Sequence, residues 1–311
     1  MKLGFIIPHY SGEKRVALLP EHVNNFENDI VIEHNFGLNL NISDDEYEKV
    51  GCKIGTREEI FSDCPAIFSL KCILEDDYRN IRPNQMIIGW THPNGSGKGF
   101  MEAQFNLKNL TIVDLDNIHP QVYYKDKIKL IDWIKPNFIK DNSFIAGYSA
   151  VLHALLSFGM ISDHSTNIAV LGCGNVSQGA FCAVSKFNNN VRMFYRKTMN
   201  EFIEERESFD IIINGIEIDK TGLHILSLEH QKSLKKNCLV IDAAANAGKA
   251  IEGTTFTTLN NPIYNKEDVY YYVVNNAPSI FYKQASLKIS ESFSKNVYKR
   301  DVNMFKDLVG Q

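Results

Sequence analysis

"NIAVLGCGNVSQGAFCAVSKF", residues 167–187, decides the fold. Ile168 to Leu171 is a continuous apolar run, short enough for a strand buried on both faces. It ends in Gly172-Cys173-Gly174-Asn175-Val176-Ser177, and helical spacing begins near Val176. In the pattern G-x-G-x-x-G/A the first glycine makes a tight turn and the second lets backbone approach a pyrophosphate. The third lets helix and strand pack closely, and here that place is taken by Ser177, small but imperfect. Such a loop offers N–H groups at a helix N-terminus to an anion. Gly172, Cys173, Gly174, Asn175, Val176 and Ser177 are therefore expected to hold a dinucleotide.

The next strand, "VRMFYRKT", ends where the cofactor's ribose would lie, Arg196 standing 24 residues past Gly172 against an expected offset of roughly 20. An NAD site carries a carboxylate there. This chain has Tyr195, Arg196, Lys197 and Thr198. Arg196, Lys197 and Thr198 suit a 2′-phosphate and favour NADP(H); the other reading, that "RK" is a solvated strand end, stays open.

Outward from this stretch, short apolar runs alternate with longer amphipathic ones along the whole chain. In the first half "LGFIIP", "IVIEH", "AIFSLK", "QMIIGW" and "LTIVDLD" read as strands, with "PEHVNNFEN" and "SDDEYEKVG" as helices between them. "NSFIAGYSAVLHALLSFGM", from Asn142, is apolar at helical spacing and reads as a helix connecting two domains. Beyond it "TNIAVLGCGNV", "NVRMFYR", "FDIIINGI", "NCLVIDAAA" and "VYYYVVNNAP" form a second series of strands. The expected class is α/β, with two Rossmann-like domains of parallel sheet separated by an active-site cleft. The expected division is 1–140 with 285–311 for substrate and catalysis, and 141–284 for NADP. The tail "QASLKISESFSKNVYKRDVNMFKDLV" reads as one or two amphipathic helices returning to the first domain.

Composition narrows the function classes. The 311 residues suffice for two domains, and 33 basic against 37 acidic side chains give −4, a balance that suggests neither nucleic acid nor an anionic membrane as partner. Six cysteines, at 52, 64, 72, 173, 182 and 238, include no CxxC pair and read as reduced thiols in a cytoplasmic protein. No stretch approaches the roughly 18 apolar residues of a membrane span. No metal site is expected.

"GWTHPNGSGKGF", residues 89–100, looks at first like a phosphate cradle. A P-loop needs G-x-x-x-x-G-K-[ST] opening a helix; Lys98 is followed by Gly99, so no hydroxyl is present for a metal ion. What remains is a loop after a strand, where α/β proteins bind ligands, carrying the titratable His92.

"GEKRVALLPEHV" (12–23), "IFSLK" (67–71), "GWTH" (89–92), the glycine loop, "DAAANAGKAIEG" (242–253) and "NNAPS" (275–279) occur in one order over essentially the whole chain. In that order the chain resembles the alanine dehydrogenase and pyridine nucleotide transhydrogenase family. The resemblance implies that Arg15 and Lys71 hold the carboxylate and carbonyl of pyruvate and that His92 shuttles a proton. It also implies a homo-oligomer. The alanine-forming members carry an aspartate where this chain has Asn246, which implies an amine donor larger than ammonia, the side-chain amine of ornithine or lysine.

The residue chemistry agrees with these roles. A guanidinium at Arg15 can grip a 2-oxo acid through two parallel N–H bonds, although an isolated arginine is more often solvated. Lys71 ends a strand, which would carry its ammonium to the carboxyl edge of the sheet. Histidine as a residue type can donate or accept a proton near neutrality, which suits the role implied for His92; the other eight histidines read as structural or exposed. Asp242 either orients a group at the mouth of the second domain or caps a turn. Asn275 and Asn276 are candidates for the nicotinamide side. Three alternatives stay open: alanine dehydrogenase, a saccharopine-type enzyme using 2-oxoglutarate and lysine, and a non-catalytic NADPH-binding sensor.

Overall fold

The β-branched runs form strands and the charged, capped stretches between them form helices. A computed structural model describes residues 1–116, 118–218 and 222–311. The chain divides into two compact units, Met1–Ile139 with Ser286–Gln311, and Lys140–Ala285.

The first unit is built on β1 (Lys2–Ile6), β2 (Asp29–Glu33), β3 (Lys53–Gly55), β4 (Ala66–Ser69), β5 (Met86–Gly89), β6 (Thr111–Asp114), β7 (Gln121–Tyr124) and β8 (Lys127–Leu130). Their order in the sheet is β3-β2-β1-β4-β5-β6-β7-β8. Neighbours are parallel as far as β6, and β7 and β8 run antiparallel. The order reverses between β1 and β4, which makes the carboxyl ends of those strands the place for a ligand. Helices α1 (Asp44–Lys49) and α2 (Arg57–Asp63) each begin in a capping box, Ser43 with Glu46 and Thr56 with Glu59, so the first orphan N–H groups are satisfied locally. A three-residue helix, α3 (Lys98–Phe100), follows β5.

One sheet face packs on Ile60, Phe61, Phe100 and Phe105. The other carries a nest of rings, with Phe5 5.3 Å from Phe68 and 4.8 Å from Tyr298.

The second unit begins with α4 (Lys140–Phe158) and continues through β9 (Ile168–Leu171), α5 (Asn175–Val184), β10 (Val191–Phe194), α6 (Met199–Glu205), β11 (Ile211–Asn214), α7 (Leu228–Gln231), β12 (Leu239–Asp242), β13 (Ile263–Lys266) and β14 (Val269–Tyr272). The order is β10-β9-β11-β12-β14-β13; all pairs are parallel except β13 with β14. Successive residues serve opposite faces: Ile168, Val170, Ile211, Ile213, Leu239 and Ile241 join one core, with α4 and α5, and Ala169, Leu171, Ile212 and Val240 join the other. Burial on both faces is why these strands read as unbroken apolar runs. The chain leaves this unit in α8 (Tyr282–Phe293) and ends in α9 (Asn303–Leu308), within the first.

One expectation is corrected and two are refined. The sheets are mixed rather than wholly parallel, because each ends in an antiparallel hairpin; Glu267 and Asp268, between β13 and β14, both have positive φ, as the twist of a two-residue hairpin demands. The helix expected over "PEHVNNFEN" is only a 3-10 turn, Pro20–His22; Asn25 lies in the left-handed region at φ 52°, where a right-handed helix cannot continue. Finally, α4, read as the connecting helix, opens the second unit. Among the described residues no helix is long and apolar enough to cross a membrane, and all six cysteines are unpaired.

Candidate active site

Arg15, Lys71 and His92 all follow strand ends at the carboxyl edge of the first sheet. Arg15 lies on the loop after β1 and is itself buried. Its Nε and Nη2 donate to Glu13 at 2.8 and 2.6 Å, and its backbone N–H also donates to Glu13. Burial alone would raise the Glu13 carboxyl, but the charge and hydrogen bonds of Arg15, helped by Lys71, hold it down at about 2. The Arg15 guanidinium stands 4.8 Å from the ring centre of Trp90.

The Lys71 ammonium shares that ring at 5.6 Å and stands 5.1 Å from the ring of Tyr10. Burial first, and the Arg15 charge second, press its pKa down to about 8, against the pull of Glu13 and Asp116. Its backbone is fixed where Ser69 Oγ donates to the Lys71 carbonyl at 2.6 Å. The two cations thus sit around one indole, with one buried carboxylate compensating both.

His92 stands two positions after Trp90 and bends sharply, at φ 43°. Its Nδ1 lies 3.1 Å from Asp116 Oδ2, which directs the opposite nitrogen, Nε2, to outside partners. Gly89, at φ 147°, ends β5 where any β-carbon would strike the Ser69 carbonyl of β4, so only glycine lets the two strand ends lie this close. The glycines of the following loop serve the histidine turn: Gly95 and Gly97 donate to the His92 carbonyl at 2.9 and 3.0 Å. Lys98 pairs with Glu102 at 3.7 Å on the surface, away from any phosphate role.

The Arg15 loop is held from distant parts of the chain. Val16 N–H donates to Ser286 Oγ and Leu19 N–H to Ser290 Oγ, both at 2.8 Å and both buried. Just past the end of β1, Arg57 donates to the Ile7 carbonyl and bridges Glu33 and Asp77 at 2.8 and 2.7 Å. Glu13, Asp116, Trp90, Tyr10 and Ser286 were not singled out from sequence. The acidic residue two places before Arg15 was visible, but its burial was not.

In the second unit Gly172, at φ 97°, turns between β9 and α5; a β-carbon there would meet Ser177 Oγ and Ile216. Ser177 is buried and donates to the Leu171 carbonyl at 2.9 Å, and Gly215, whose missing side chain leaves room for Ser177, supplies the closeness that a third glycine would give. Gly174 faces open space, Cys173 is exposed, and Asn175 and Val176 open α5. A pyrophosphate fits that cradle: bare backbone, room above it, and a helix N-terminus behind. At the end of β10 Tyr195, Arg196 and Lys197 are exposed, and Thr198 Oγ1 accepts from Tyr195 N–H at 3.1 Å. Neither Arg196 nor Lys197 forms an ion pair among the described residues.

Asp242 is fully buried and receives Asn214 Nδ2 at 2.9 Å and Asn246 N–H at 3.2 Å. Burial raises its pKa to about 6 against those bonds and others from the N–H groups of Ala244 and Ala245. These bonds cap the turn that follows β12. The Asn246 amide reaches the Ile218 carbonyl at 3.3 Å. Asn275 and Asn276 precede the 3-10 turn Ala277–Phe281, where Asn276 is buried.

Comparison with known proteins bears on the whole chain. It is 60% identical over 311 residues, 100% of this chain and 98% of the relative, to an N(5)-(carboxyethyl)ornithine synthase of Clostridium botulinum. It is 49% identical over 305 residues, 98% of this chain and 97% of the relative, to one of Lactococcus lactis. A solved L-alanine dehydrogenase shares the fold with a TM-score of 0.76 at 17% identity, covering 96% of this chain and 89% of that one. Residues 9–123 match the N-terminal domain and residues 146–306 the C-terminal domain of alanine dehydrogenase/PNT, and the chain belongs to that family.

Proposed function

We propose that the protein catalyses the NADPH-dependent reductive condensation of pyruvate with the side-chain amine of ornithine, giving N(5)-(carboxyethyl)ornithine, water and NADP+. The observation that carries the reaction class is the gathering of a buried arginine, a lysine of lowered pKa and a histidine–carboxylate pair at one sheet edge. Substrate identity rests on full-length similarity to relatives named for that product.

Arg15 anchors the keto acid carboxylate, and Lys71, an ammonium below pH about 8, polarises the ketone. The amine must shed a proton before its lone pair can attack. His92 with Asp116 is the acceptor, and it returns protons as the carbinolamine oxygen leaves as water. Gly172, Cys173, Gly174, Asn175, Val176 and Ser177 hold the dinucleotide, with Arg196, Lys197 and Thr198 on its 2′-phosphate. When bound, the reduced nicotinamide supplies the hydride that adds to the imine carbon; the chain's own work is orientation and charge placement.

The test is a panel assay of purified protein with NADPH or NADH, pyruvate or 2-oxoglutarate, and ammonia, ornithine or lysine. NADPH oxidation is expected only with pyruvate and ornithine together. Ammonia replacing ornithine with equal efficiency would refute the reading. Lysine is the weaker discriminator, since one methylene is worth only about 1–3 kcal/mol.

A further inference from the structure

We propose that Asp114, a buried residue that does not touch substrate, is the positioning residue for His92. The inference rests on the reading that His92 moves protons. It starts from register: Gly89, the last residue of β5, lies opposite Asp114, the last residue of β6, and Leu115 N–H donates to the Gly89 carbonyl at 2.9 Å. The chain leaving β5 therefore has the Asp114 carboxylate beside it as it turns.

The carboxylate takes hold of that turn. Its Oδ1 accepts from Thr91 N–H and Thr91 Oγ1, each at 3.2 Å, and from His92 N–H at 3.3 Å. His92 needs such support, because φ 43° crowds a β-carbon and persists only where its surroundings over-determine it. The carbonyl side of the residue is held separately, by Gly95 and Gly97. Thr91 is pinned too: its carbonyl accepts from Cys72 Sγ at 3.3 Å and lies where any side chain at Gly97 would stand. Asp114 thus fixes the amide end of the one backbone geometry that brings the His92 ring to Asp116.

What the turn takes from Asp114 is a hydrogen-bond acceptor at Oδ1. Burial, then Asp116, raises its pKa, while His92 and the Thr91 hydroxyl pull it down. An asparagine oxygen in the place of Oδ1 can accept the same three donors.

The experiment compares Asp114→Ala, Asp114→Asn, Gly97→Ala and His92→Ala by steady-state kinetics, with ornithine, pyruvate and NADPH varied in turn. His92→Ala sets the floor. Asp114→Ala is expected to lose at least tenfold in kcat towards that floor with an unchanged KM for NADPH, and Asp114→Asn to stay within threefold of the parent. Gly97→Ala, which pushes on the other end of the turn, is expected to lose kcat in the same way and stands in if Asp114→Ala does not fold. A folded Asp114→Ala within threefold of the parent kcat, an Asn variant as damaged as the Ala variant, or an unaffected Gly97→Ala would each overturn the positioning role while leaving His92 in place. A His92→Ala enzyme with full kcat would instead overturn the role of His92, and the proposal with it.

Discussion

Lys71 is a site residue whose chemistry its surroundings alter strongly. With a pKa near 8, lowered from 10.5 by burial and by Arg15, it is an ammonium at neutral pH and loses the proton just above it. If the ammonium polarises pyruvate, kcat/KM falls on the alkaline side with a midpoint near 8, and Lys71→Arg, which cannot deprotonate in this range, removes that limb. An alkaline limb unchanged in the arginine variant would show that another group titrates. For stability the sign is opposite: between about 8 and 10.5 the unfolded chain binds more protons than the folded one, so this group's contribution rises with pH across that window. Arg196 carries the second prediction at this scale. It is exposed and has no ion-pair partner among the described residues, so Arg196→Glu should shift the proposed preference for NADPH over NADH towards NADH by on the order of tenfold or more, given about 1.5–3 kcal/mol for hydrogen bonds to charged groups. An unchanged ratio of the two kcat/KM values would mean that the strand end is merely solvated.

At the scale of elements, the glycine loop is only as well placed as the helix behind it. Helices α4 and α5 cross with their backbones in contact: a β-carbon at Gly147 would strike the Val176 carbonyl, and one at Gly179 the Phe144 carbonyl. Gly179→Ala is therefore expected to cost about 1–3 kcal/mol through overpacking and to weaken NADPH binding by shifting the N-terminus of α5. Denaturant unfolding and fluorescence titration measure the two effects. Gly99→Ala is the contrasting case, since nothing lies near the added carbon and α3 gains a better helix former; stability should hold or rise by up to about 1 kcal/mol. Equal losses in the two variants would mean that close packing is not what Gly179 provides. Two of the strands that sequence left unread share one cause. All four residues of β8 are exposed and two are lysines, and β13 is half exposed, so neither shows the apolar run that marks a buried strand. Hairpin pairing, not burial, makes them strands.

At the scale of the whole molecule, there are two separately cored units, and the proposed sites would divide the ligands between them. With NADPH alone, hydrogen exchange should slow across 172–178 and 195–198, and with pyruvate alone across 10–16, 70–72 and 90–97. NADPH at a hundred times its Kd should stabilise the protein by about 2.7 kcal/mol. Protection of the first unit alone by NADPH would contradict this division. What the sequence by itself determined is what neighbours along the chain can specify: the α/β alternation, a glycine turn between strand and helix, the cations beyond β10, and the ordered motifs that mark the family. Tertiary structure decided the environment of the reactive groups. Glu13 is a buried counter-ion for Arg15 only because folding closes over both. Asp114 and Asp116 reach His92 across a sheet register, and Ser286 holds Val16 from 270 residues away. Local pattern is written in backbone geometry and periodicity, whereas burial and charge pairing depend on which distant side chains the fold brings within a few ångströms.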